Sequence, residues 1–240
     1  FFSAFDKESV RLAHDISPEL LKISSMDLTN SEVIDAARDQ FDRIVMSTGM
    51  SSATEIRQSL ARLNQKQSKQ VALLHCVSSY PLDPSDANLE SIHWLVKNYG
   101  YQVGYSDHCL GWYACIAATC LGATIIEKHF TLDKRLKGPD HLHSITPEEF
   151  KEMAKAVRET SQMLECRGPN VSNIQFREMR RQKRGVYFRH DAQAGDVFQR
   201  ENALITAPCL GLTTFEVEGY FGKRLVVDVK KGQPVSNRDF

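Results

Sequence analysis

The sequence predicts an α/β fold of parallel strands, either an open sheet or a (β/α) barrel. Three observations carry this expectation. Short apolar runs recur along the first 160 or so residues, with helical stretches between them. The runs are continuously apolar, as strands buried on both faces are. Each ends in a polar cluster, the arrangement of a parallel sheet that gathers its chemistry at the C-terminal strand ends.

The first run is Leu20–Ser25, followed closely by Asp27, and a helix is expected from about Ser31 to Gln40. Arg43–Gly49 is the next strand, followed by a helix over Ser52–Leu63, with Ser51 or Ser52 as N-cap ahead of Glu55. Val71–Tyr80 precedes a helix near Asn88–Asn98. Val103–His108, the small-residue helix Gly111–Gly122 and Ile125–Phe130 then form a βαβ unit, so the two strands are parallel neighbours. Thr146-Pro147-Glu148-Glu149 opens a further helix with proline at its first position.

Within that unit His108 and His129 arrive at one edge, one strand apart, where they can hold one metal ion; alternatively they only cap strand ends. Hydroxyls at successive strand ends suit a phosphate or polyol site, although serine and threonine are also ordinary turn residues. Lys22 lies inside an apolar strand, which is costly unless it meets an anion. Its other explanation is an internal ion pair with Asp27 or Asp107.

Composition narrows the function classes. The chain has 240 residues, 42% hydrophobic, enough for a sizeable core and two domains. Zero formal net charge gives no global pointer to nucleic acid or an anionic membrane. The basic run Arg177–Arg184 has no interleaved aromatics and fits a solvated linker or interface. No run approaches the ~20 apolar residues of a membrane span, and no signal-peptide pattern is present. The six cysteines form no metal-type CxxC pair and sit mostly in apolar segments, as reduced thiols of a cytoplasmic protein do.

The texture changes near Cys166, where Arg167-Gly168-Pro169-Asn170 breaks the last helix. The expected division is a barrel-like domain over 1–166, a polar linker over 167–183 and a small β-rich domain over 184–240. Strands are expected there at Gly185–Phe188, Leu204–Ala207 and Leu225–Val229, with turns at Ala194-Gly195-Asp196 and Lys231-Gly232-Gln233. So small a domain leans on the barrel or on a partner chain.

Six ordered motifs then resemble one family. They are Lys22–Asn30, Ser47-Thr48-Gly49-Met50, His75–Pro81, Gly104–His108, Glu127–Asp133 and Gly138-Pro139-Asp140-His141. In this order they are similar to the N-acetylneuraminate (sialic acid) synthase family, which includes legionaminate and pseudaminate synthases. The tail from about Arg184 resembles that family's antifreeze-like (SAF) domain, through Ala194-Gly195-Asp196 and Gly222-Lys223. The resemblance implies a (β/α)8 TIM barrel followed by a SAF domain. It implies transferase chemistry, in which phosphoenolpyruvate condenses with an N-acetylated amino sugar to give a nine-carbon 2-keto acid and phosphate.

It also implies roles. His108 and His129 match the catalytic metal ligands, for a divalent manganese or magnesium ion acting as Lewis acid. Ser3, Lys22, Ser25, Ser47, Ser78 and Ser106 match the phosphoenolpyruvate positions, and Asp27, Tyr80 and Asp140 the sugar positions. Asp27 stands where the family also carries a longer glutamate. His141 and His143, an H-x-H after the last strand, are expected to support the site at most. The implied assembly is a domain-swapped homodimer. The competing expectations are another phosphoenolpyruvate–aldose condensing synthase, or an inactive binding or assembly homologue.

Two departures from the family pattern stand out. Phe1–Asp6 resembles the third barrel strand, so the first two are missing from this sequence, and six strands do not close an eight-stranded barrel. A segment that carries an arginine towards the partner's sugar in this family reads Thr206-Ala207-Pro208-Cys209 here, leaving Lys223 and Arg224 as substitute donors.

Overall fold

Six strands pair in chain order, all parallel, among the residues that the computed structural model describes: 1–17, 19–65, 70–165 and 172–240. They are β1 (Phe2–Ala4), β2 (Leu21–Ile23), β3 (Arg43–Ser47), β4 (Gln70–His75), β5 (Gln102–Asp107) and β6 (Ile126–Lys128). The sheet curls into a partial barrel. The crossover helices are α1 (Lys7–Ile16), α2 (Ser31–Gln40), α3 (Ala53–Leu63), α4 (Ser91–Tyr99) and α5 (Tyr113–Cys120), and α6 (Pro147–Met163) follows β6. Local chemistry starts several of them. Ser52 and Glu55 close a reciprocal capping box on α3, and Thr146 and Glu149 do the same on α6.

The period of two along each strand separates the faces. Ile44 and Met46 of β3, Val71 and Leu73 of β4, and Val103 and Tyr105 of β5 join the main core with Val33, Phe41, Leu60 and Leu63 from the helices. Each such aliphatic side chain contributes about 1.5–3 kcal/mol by leaving water. Val45, Ala72 and Leu74 point the other way, where a smaller apolar cluster fills the inside of the curl with Leu20 and Ile125. Gly104 faces that inside: a Cβ there would meet Ile125 O at 2.5 Å and Leu74 Cδ2 at 2.6 Å. Glycine lets β5 and β6 close up just before the strand ends that carry the histidines.

The chain divides into two compact units, Phe1–Glu165 and Cys166–Phe240. The expected boundary at Cys166 and the Arg167–Asn170 break lie outside the described residues. Residues 173–182 of the expected linker form a helix, α7 (Asn173–Gln182), capped by a Ser172–Gln175 box. In the second unit β7 (Gly185–Phe188) and β8 (Ala203–Thr206) make an antiparallel pair. Phe198 centres its core, with the rings of Phe188, Phe221 and Phe240 at 5.3–5.5 Å.

The strand expected at Leu225–Val229 does not form. Its ends make only single bridges, Val229 to Ala192 and Arg224 to Val197. The amides of Leu225, Val226 and Val229 donate to three separate partners, Asp196 O, Asp239 O and Ala192 O, each at 2.9 Å, so no ladder builds up. The two expected turns are present, with Gly195 and Gly232 at φ +96° and +80°. No helix among the described residues is long and apolar enough to cross a membrane.

Candidate active site

The strand ends of the first unit surround a cavity of about 300 Å³. All six side chains expected at a phosphoenolpyruvate site line it: Ser3, Lys22, Ser25, Ser47, Ser78 and Ser106. Tyr80, His108, Glu127 and His129 complete much of its wall. The register explains part of the convergence, since Ser3 pairs with Lys22 across β1 and β2 and Ser106 with Glu127 across β5 and β6. A larger groove of about 600 Å³ runs along α1 past Phe2, Leu12 and Ile16, with Arg11 but no lysine or histidine among the described residues that line it. The residues expected at the site line the smaller cavity.

Lys22 is 7% exposed, and its Nζ lies 3.3 Å from Glu127 Oε2. Ser106 Oγ donates to the other oxygen of Glu127, 2.7 Å. The internal ion pair expected with Asp27 or Asp107 is therefore incorrect: the anion beside Lys22 is Glu127. Strand alternation gave the missed signal, because Glu127 faces the same way as Ser106 and His129. Ser47 Oγ and Ser78 Oγ are buried with no hydrogen-bond partner among the described residues. Buried hydroxyls in that state await an acceptor, and two beside a lysine suit an anion.

Gly49 brings its backbone into this group. A Cβ there would meet Ser78 Oγ at 2.7 Å, Cys76 Sγ at 2.8 Å and Ser25 Oγ at 2.9 Å.

The histidines form the second half of the site. His108 is 4% exposed, and its Nδ1 lies 2.7 Å from the Val77 carbonyl. A carbonyl only accepts, so Nδ1 carries the proton and Nε2 of the neutral ring is free to ligate a metal. The His108 and His129 rings lie 5.4 Å apart, and Tyr80 covers His108 at 4.2 Å and His129 at 5.7 Å. Burial pushes the pKa of both histidines below the usual imidazole value, and in His129 the neighbouring His108 adds to this. Each is thereby kept in the neutral, ligating form.

The H-x-H pair splits. His141 Nδ1 is tied to Thr131 Oγ1 at 2.7 Å, away from the cluster. His143 turns inward, 2% exposed, with its ring 4.8 Å from that of His129. Two backbone bonds hold the loop there: Ile145 N donates to His129 O and Thr131 N to Ile145 O, both 2.9 Å. His129, Asp140 and His143 offer ligand atoms within 4.8 Å of one another, a group able to hold a metal ion. His143 thus belongs to a group able to hold a metal ion, whereas His141 does not.

Asp140 sits beside His129, with Oδ2 at 3.8 Å from Nδ1. Asp27 does not line the cavity; its carboxylate accepts from Ser24 Oγ at 2.7 Å and from Asn30 Nδ2 at 3.3 Å. In the second unit Lys223 Nζ lies 4.3 Å from the centre of the Tyr220 ring, and Arg224 donates to Gly195 O at 2.8 Å. Both substitute donors are engaged locally.

Comparison with known proteins gives the family. The chain is 31% identical over 231 residues to the N,N'-diacetyllegionaminic acid synthase of Campylobacter jejuni, covering 95% of this chain and 69% of that protein. It is 30% identical to the pseudaminic acid synthase of Helicobacter pylori, covering 100% of this chain and 70% of that one. The crystal structure of the N-acetylneuraminic acid (sialic acid) synthetase of Leptospira borgpetersenii, in complex with citrate, superposes with a TM-score of 0.68 at 34% identity. That match covers 74% of this chain and 62% of the other. The chain therefore spans 62–70% of the length of these relatives. The NeuB family matches residues 1–168, the whole of the first unit and every strand end that builds the cavity, and the chain is a member of that family.

Proposed function

We propose that this protein is a condensing transferase of the sialic acid synthase type, joining C3 of phosphoenolpyruvate to the aldehyde carbon of an N-acetylated amino sugar. The observation that carries the reading is the cavity itself. A buried lysine and five serines stand at one parallel-sheet edge, next to two neutral histidines. Phosphoenolpyruvate brings a phosphate and a carboxylate, and Lys22 with Ser3, Ser25, Ser47, Ser78 and Ser106 supplies the charge and hydroxyl donors they need. Glu127 holds Lys22 and Ser106 in place from the opposite side. Tyr80 on the cavity wall and Asp140 beside His129 are the sugar-side contacts; Asp27 organises the turn after β2 through Ser24 and Asn30.

The residues fit a divalent ion. His108 has its proton fixed on Nδ1 and presents Nε2, and His129 lies one ring away. His108 and His129 would hold a manganese or magnesium ion, which would supply Lewis-acid polarisation of an aldehyde oxygen. The work of the chain is to keep both imidazoles neutral, to orient the anion beside them and to screen the pair behind Tyr80.

The complete enzyme on this reading is an eight-stranded barrel with an antifreeze-like domain over 184–240. It assembles as a homodimer in which that domain covers the partner's barrel mouth. The small second unit, built around one aromatic core, suits such a docking role. For the sugar we favour a diacetamido 6-deoxy compound. Ala207 offers no donor where an arginine occurs in the family, and relatives at 31% and 30% identity carry the legionaminic and pseudaminic names. The test compares kcat/KM for N-acetylmannosamine, its 6-phosphate and diacetamido 6-deoxy sugars, following phosphate release with phosphoenolpyruvate. Highest efficiency with plain N-acetylmannosamine, unchanged by Ala207→Arg, rejects the sugar choice. No sugar-dependent phosphate release with any of them rejects the activity.

A further inference from the structure

We propose that His143 adds an imidazole to this metal site, binding the ion together with His129 and Asp140, so that the site prefers nitrogen-loving transition ions over magnesium. The proposal rests on the reading of this sheet edge as a metal-assisted site and adds a ligand to it. Four observations converge. The ligand atoms of His129, Asp140 and His143 lie within 4.8 Å of one another, so small side-chain rotations bring them onto one ion. The Asp140 carboxylate spans the two rings, with Oδ2 at 3.8 Å from His129 Nδ1 and Oδ1 at 3.8 Å from His143 Nε2. His143 is 2% exposed, yet its Nε2 has no hydrogen-bond partner among the described residues. A buried imidazole nitrogen left in that state is unfavourable unless a ligand meets it.

The fourth observation is that the loop is built rather than draped. Ile145 N donates to His129 O, and Ser144 donates to Asp140 O through both its amide, 3.1 Å, and its hydroxyl, 2.7 Å. His143 is flanked by these anchors, and its ring packs at 5.5 Å from Tyr80, the same ring that covers His108 and His129. Chemistry then sets the preference. Oxygen ligands and water suit magnesium and manganese, whereas imidazole suits zinc, cobalt and nickel. An added imidazole moves the site towards the second group.

Calorimetric titration of the metal-free protein with Co²⁺ and with Mg²⁺ tests this without either substrate. The proposal predicts one Co²⁺ per chain, bound more tightly than Mg²⁺. It also predicts that His143→Asn weakens Co²⁺ binding on the order of tenfold or more, with a smaller effect on Mg²⁺. Unchanged Co²⁺ affinity in a variant that melts like the parent overturns it, as does the absence of stoichiometric binding. Should His143→Asn fail to fold, X-ray absorption of the Zn²⁺-loaded His108→Ala protein decides: two imidazoles, from His129 and His143, support the proposal, and one overturns it. Condensation is assayed separately, so a protein that condenses both substrates while binding Co²⁺ independently of His143 retains the proposed function and loses only this inference.

Discussion

Lys128 Nζ lies 2.8 Å from Asp107 Oδ2, and both side chains are completely buried. Each residue immediately precedes one of the two histidines. Strand alternation sends Asp107 and Lys128 behind the sheet while Ser106, Glu127 and His129 face the cavity. The pair therefore locks the ends of β5 and β6 together from behind. Asp107 also accepts from the Tyr105 hydroxyl at 3.1 Å and from the Cys109 amide at 2.9 Å, and Lys128 donates to Cys109 O as well.

Removing one partner of a buried pair strands the other charge. Lys128→Met is expected to lower stability by about 3–5 kcal/mol in urea unfolding. The double variant Asp107→Asn/Lys128→Met should lose less than the sum of its two single changes. A loss below about 1 kcal/mol in the single variant, the range of an exposed pair, would contradict this role.

Gly49 gives a second, sharper test. A Cβ would stand 2.7–2.9 Å from Ser78 Oγ, Cys76 Sγ and Ser25 Oγ, so the three side chains must move. Gly49→Ala should raise KM for phosphoenolpyruvate on the order of tenfold or more, at a stability cost of about 1–3 kcal/mol. Unchanged KM in steady-state kinetics would remove this group from the phosphoenolpyruvate site.

Lys22 supplies the buried positive charge of the cavity wall. A hydrogen bond from a charged group contributes about 1.5–3 kcal/mol, so Lys22→Met should weaken phosphoenolpyruvate binding about 10- to 100-fold. The effect on sugar KM should be much smaller. Equal loss for both substrates would point to collapse of the Lys22–Glu127 pair instead.

How much of this was legible beforehand depended on distance along the chain. Ser106, His108 and His129 follow from local strand patterns, and the capping boxes at Ser52 and Thr146 from four-residue signatures. Lys22 was recognisable as needing an anion, but its neighbour Glu127 lies in β6, across the inside of the curl from β2. Pairing of that kind depends on how the sheet closes. His143 showed the same limit. The H-x-H spacing marked two candidates, and only the backbone bonds between His129 and Ile145 decide which ring turns inward. The strand expected at Leu225–Val229 fails for the opposite reason: its apolar pattern is there, but its amides find Asp196 O, Asp239 O and Ala192 O in three different segments.

His75 supplies a pH signature of its own. It is 6% exposed, its Nε2 lies 2.8 Å from Ala87 O, and its ring stacks on Tyr105 at 5.8 Å. Burial lowers its pKa, so the unfolded chain binds a proton more readily than the folded one. The stability this gives is present above the ordinary histidine value of about 6.5 and is lost as pH falls from there towards the lowered folded value. Urea unfolding at stepped pH should show this slope, with a shallower one in His75→Gln. Identical slopes would mean that His75 is not buried in its neutral form.

The most direct measurement follows phosphate and 2-keto acid together as the purified protein meets phosphoenolpyruvate and the amino sugar, with and without EDTA. The account predicts one phosphate released per keto acid formed, no turnover in EDTA, and recovery on adding manganese or magnesium. His108→Ala and His129→Ala should each lower turnover on the order of 100-fold or more. Full activity in EDTA, or undiminished turnover in either histidine variant, would contradict it.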